Sequence, residues 1–72
     1  MTKAERISEL KREIAKARAD FEDLETQLGE LLDARELGLV SDREVDILGE
    51  DTGNAQDWLE ELETELATLL NA

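Results

Sequence analysis

LGLVSDRE, residues 37–44, is the stretch whose reading decides the fold. Gly38 is the residue type that adopts a positive φ without steric cost, which is how helices commonly end. Three residues on, Ser41-Asp42-Arg43-Glu44 has the spacing of a capping box, in which a hydroxyl and a carboxylate satisfy the free N–H groups of a new helix. One helix stopping and another starting four residues later predicts a chain that doubles back.

The sequence upstream supports this. Ile7, Leu10, Ile14, Ala17, Phe21, Leu24, Leu28 and Leu31 recur in alternating steps of three and four, the pattern of a coiled-coil seam. Thr2 and Glu5 form a capping box ahead of it, so a long helix is predicted over 3–37. Downstream, Val45, Leu48, Thr52, Ala55, Leu59, Leu62, Leu66 and Leu69 continue the same rhythm. Gly49 and Gly53 interrupt it, and Asn54 followed by Asp57 has the look of another helix start. The second arm is therefore expected as two helical pieces, 42–48 and 55–70, separated by a kink or one-turn break.

Folding the arms at Gly38 brings together residues whose numbers sum to about 76, such as Ile7 with Leu69, Ile14 with Leu62, Leu28 with Leu48 and Leu31 with Val45. Ala17 then falls opposite Trp58 and Leu59, so Trp58 is expected in the packed seam, with a partner-binding anchor as the alternative. Residues 1–18 hold six bases and three acids, and this basic turn-set lies beside Glu60, Glu61, Glu63 and Glu65. The expected fold is all-α: one domain over residues 1–72, an antiparallel helical hairpin with a coiled-coil-like seam. A parallel dimer of the first helix is disfavoured by its flanking charges, which set one attraction against two repulsions. Two helices leave Leu32, Leu37, Leu39, Val40, Ile47 and Leu70 uncovered, so two hairpins are expected to pair as a four-helix bundle.

Composition narrows the chemistry. Aromatic residues make up 3% of the chain and there is no proline, which suits helices better than sheets. With no cysteine and no histidine, the usual transition-metal ligands and the near-neutral acid/base are missing. The N-terminal stretch is too charged for a secretory signal and no apolar run approaches a membrane span, so a cytoplasmic protein is expected. A formal charge of −12 opposes direct binding to nucleic acid or an anionic membrane and favours a basic partner. The basic N-terminal stretch contains three glutamates and no aromatic, so pairing with the acidic second arm accounts for it.

Two motifs raise other possibilities. Asp51-Thr52-Gly53 resembles the catalytic triplet of the aspartic proteases, but over three residues alone. That family holds two copies on β-hairpins so that two carboxylates share a proton, and no strand pattern exists here to hold one, so the triplet is assigned to the helix break. Asp46, Glu50, Asp51, Asn54 and Asp57 are oxygen ligands of the kind calcium takes, but their spacing does not follow the EF-hand loop. No catalytic residue, cofactor or metal ligand is assigned.

The expectation is a non-enzymatic acidic interaction protein. Its partner is a basic protein, of the class that itself binds nucleic acid, met by Asp20, Glu22, Asp23, Glu30, Asp33, Asp57, Glu60 and Glu61. Twenty carboxylates along arms of roughly 50 Å approach the charge spacing of nucleic acid, as in a nucleic-acid-mimicking inhibitor of the phage anti-defence type. The alternative is a structural or assembly protein acting through its seam, with the acids serving solubility.

Overall fold

A computed structural model describes residues 2–71 as two helices, α1 over Lys3–Glu36 and α2 over Asp42–Asn71. They lie antiparallel in a rod of 52 × 17 × 14 Å, the length expected of 34 helical residues at about 1.5 Å each. Among the described residues there is no strand.

Both helix starts follow the sequence. The Glu5 N–H donates to the Thr2 hydroxyl oxygen at 3.1 Å, and that hydroxyl donates to the Glu5 carboxylate, also at 3.1 Å. At α2 the Glu44 N–H donates to the Ser41 hydroxyl at 3.4 Å. The end of α1 comes one residue before the expected boundary, with Leu37 as its cap. Gly38 adopts φ +75°, its N–H donates to the Arg35 carbonyl at 3.0 Å, and the Leu39 N–H donates to the Ala34 carbonyl at 2.9 Å. This pair of bonds is a Schellman motif, which satisfies the last carbonyls of the helix and turns the chain.

The second arm differs from expectation: α2 runs unbroken through Gly49, Gly53 and Asn54. Among the described glycines only Gly38 has a positive φ, so neither of the other two acts as a stop. Each costs a helix about 1 kcal/mol relative to alanine, and both lie off the seam, while Val45, Thr52 and Leu59 on the seam are buried. Continuous burial along one stripe outweighs two local penalties. Thr52 belongs to that stripe rather than to a break, and its hydroxyl donates to the Leu48 carbonyl at 2.7 Å.

The core sits towards the chain ends. Leu10, Ile14, Ala17, Leu59 and Leu62 form one buried cluster, with Phe21, Leu66 and Leu69 packed against it. Ile14 with Leu62 and Ala17 with Leu59 keep the expected register. Nearer the turn, the buried positions are Val45 and Thr52, while Leu24, Leu28, Leu31 and Leu48 are half-buried. No buried side-chain nitrogen or oxygen among the described residues lacks a partner.

Candidate functional site

Two flanks border the seam, and ion pairs fix which residues belong to each. Arg6 meets Glu65 on one, with Nη2 2.7 Å from Oε2, and Arg18 meets Glu63 on the other at 3.6 Å. Steps of seven from these pairs stay on the same flank. The first therefore carries Arg6, Glu13 and Asp20 of α1 against Glu65, Trp58 and Asp51 of α2. The second carries Lys11, Arg18, Glu25 and Leu32 against Leu70, Glu63, Gln56 and Gly49.

Trp58 departs from the sequence expectation. It is 54% exposed, because Leu59 takes the seam position opposite Ala17 and leaves the indole one residue out, on the first flank. There it walls a groove of about 320 Å³ with Glu13, Lys16, Ala17, Asp20 and Ala55.

The charges segregate along the rod once the chain is folded. Residues 3–18 lie beside 58–71, and together they hold seven acids and six bases. The turn half, residues 19–57, holds thirteen acids and two bases, Arg35 and Arg43. Of the formal −12, the turn half carries −11. Its two bases stand at the turn itself, where Arg35 lies 3.8 Å from Asp42, so the legs 19–34 and 44–57 have carboxylates and no cation.

All eight acids expected to meet a partner are exposed, but the fold does not gather them on one surface. Asp20, Asp23 and Glu30 follow one row on the tryptophan flank, and Glu61 falls on the same side of α2. Glu22 and Glu60 turn towards the other flank, while Asp33 and Asp57 lie on the backs of their helices. Asp57, Glu60 and Glu61 also share a shallow concavity on the outer side of α2 with Thr64 and Glu65. Glu13 and Asp51 were not among the expected partner contacts, and Trp58 was expected first in the core. The signal for them was the seven-residue spacing from Arg6, read across an antiparallel seam.

At the neutral end the ion pairs centre on Arg6. Its Nε donates to Glu65 Oε1 at 3.0 Å, and its Nη1 lies 2.9 Å from Glu9 and 3.7 Å from Glu13. The hydrogen bond to Glu65 raises the already strongly basic guanidinium further; desolvation opposes this and the three carboxylates add to it. The candidate calcium ligands Asp46, Glu50, Asp51, Asn54 and Asp57 are exposed along successive turns of α2, and no three acidic side chains among the described residues gather as a metal site. Among the described residues no helix is long and apolar enough to cross a membrane. Compared with known proteins, the chain matches no family model, no curated protein and no solved structure.

Proposed function

We propose that the protein is a non-enzymatic interaction module whose acidic turn half engages a basic partner protein in place of nucleic acid. The observation that supports this reading is the concentration of net charge in one half of the rod. Thirteen carboxylates over half of a 52 Å length amount to about one per 2 Å, between the spacing of duplex DNA, about 1.7 Å, and that of a single strand, about 3.4 Å. A groove built to hold a phosphate backbone would accept such a rod, and the protein would act as an inhibitor of the phage anti-defence type. Capture from native lysate at low and high salt tests it. Partners held by the wild type should be released by salt and lost with an Asp20→Lys/Asp23→Lys/Asp51→Lys variant. Retention of the same partners by that variant at high salt refutes it.

The opposite flank supports a paired form. Gly29, Gly49 and Gly53 lie on it together with Leu32 and Leu70, which are 37% and 59% exposed. A Cβ at any of the three glycines would meet nothing within 4 Å, so the single hairpin has no packing need for them. Two copies packed head to tail through this flank would set Lys11 and Arg18 of one against Glu22 and Glu25 of the other, and the result is a four-helix bundle. The second reading, a structural or assembly protein, draws on Leu37, Leu39 and Ile47, exposed at 75%, 74% and 50% around the turn; in it, reversal of the acids leaves the partner bound.

A further inference from the structure

We propose that the Trp58 groove is a receptor for one cationic side chain of the partner, an arginine before a lysine. The inference rests on the reading of the protein as a binder of basic partners and adds where that partner is anchored. Trp58 is the chain's sole tryptophan, and its indole stands 54% exposed beside the seam rather than in it. Its groove has an apolar floor, the methyl groups of Ala17 from α1 and Ala55 from α2, and carboxylates at the rim from Glu13 and Asp20. At about 320 Å³ it is at the small end of ligand pockets and fits one extended side chain better than a larger ligand.

The charge on that rim is under-compensated. Seven residues towards the chain ends, the same two flank positions hold Arg6 and Glu65, a closed ion pair. At the next repeat, α1 presents another acid, Glu13, and α2 presents an aromatic ring instead of a base. Glu13 has a 3.7 Å contact with Arg6, a cation already engaged by Glu65 and Glu9, and Asp20 makes no ion pair among the described residues. Lys16 stands on the same rim, also without an ion pair, and can offset one of the two acids. A guanidinium entering over the indole would find a cation–π face and an unopposed carboxylate in one place. Its planar shape suits stacking better than an ammonium does.

The probe is an octa-arginine peptide titrated at low salt into the full chain, followed by Trp58 fluorescence and by calorimetry. Saturable change of the Trp58 emission is expected, with octa-lysine binding more weakly. Trp58→Leu, which keeps apolar bulk and removes the indole, should weaken binding about tenfold. Glu13→Gln/Asp20→Asn should weaken it by at least as much and Lys16→Ala should tighten it. Glu25→Gln/Asp46→Asn removes the same charge from the acidic turn half outside the groove and should weaken binding clearly less than Glu13→Gln/Asp20→Asn does; circular dichroism confirms that each variant is helical. If the peptide binds but Trp58→Leu is neutral and the two double variants weaken it equally, the groove is not the anchor while the acidic-surface reading stands. If wild type does not bind the peptide at all, that reading falls as well.

Discussion

Arg6 and Glu65, fifty-nine residues apart in the chain, close on each other through two parallel hydrogen bonds, Nε to Oε1 at 3.0 Å and Nη2 to Oε2 at 2.7 Å. The fork fixes orientation as well as distance. Arg6→Lys keeps the charge and loses the second bond, so a small fall in melting temperature is expected, below that of any core truncation. The swap Arg6→Glu/Glu65→Arg should recover less than half of the loss caused by Arg6→Glu, because the new acid faces Glu9 and Glu13. Full recovery in thermal melts would show that those neighbours do not matter.

The pH dependence of this contact has a definite sign. A raised folded-state value for a base means the stabilisation is complete below the unfolded value and declines as pH rises through the folded one. For the Arg6 guanidinium that window lies in strong alkali. Chemical denaturation from neutral to moderately alkaline pH should therefore show no loss traceable to Arg6, measured as the difference between wild type and Arg6→Lys.

Core and flank truncations should separate widely. Leu10 is fully buried in the main cluster, and Leu10→Ala is expected to cost about 3 kcal/mol or more, a large share of what so small a fold has. Trp58→Ala, at a side chain 54% exposed, should cost about 1 kcal/mol. Urea melts of the two variants check this, and equal losses would place the indole in the core.

The glycines give opposite signs. Gly38→Ala forces a side chain into a left-handed backbone at φ +75° and should destabilise by about 1 kcal/mol. Gly49→Ala and Gly53→Ala meet open space and should each stabilise the single hairpin by about 1 kcal/mol. If copies pair through that flank, the same two changes also weaken association in sedimentation equilibrium. A gain in stability with unchanged association would remove the glycine flank from the interface.

Salt should act on one half of the rod. Screening shortens the reach of charge from about 10 Å at 0.1 M to about 3 Å at 1 M, which relieves the repulsion among thirteen acids in residues 19–57. Hydrogen exchange at residues 44–57 is expected to slow with added salt more than at 58–70. Uniform slowing would mean that the charge segregation has no energetic effect.

Most of the hairpin was legible before folding. Gly38, the two capping boxes at Thr2 and Ser41 and the three-four rhythm of the leucines each depend on local spacing, and the seam register follows from the turn position. What misled was local chemistry competing with a distributed term. Gly49, Gly53 and Asn54 signal a stop over six residues, whereas the stripe from Val45 to Leu59 favours continuation. Trp58 misled for a related reason: it and Leu59 are both large and apolar, and one residue of helical rotation decides which is buried. The acids were visible as a count but not as a surface, since their partition between flanks depends on the antiparallel seam.

The best-packed layers lie in the open half of the hairpin, where residues 10–17 of α1 pack against 59–62 of α2, while the closed end is thinly packed and self-repelling. The peptide link at the turn is therefore not what holds the legs together. A single proteolytic cut between Leu37 and Ser41 should leave both pieces clasped, and separately synthesised legs 1–37 and 41–72 should reassemble into the rod when mixed.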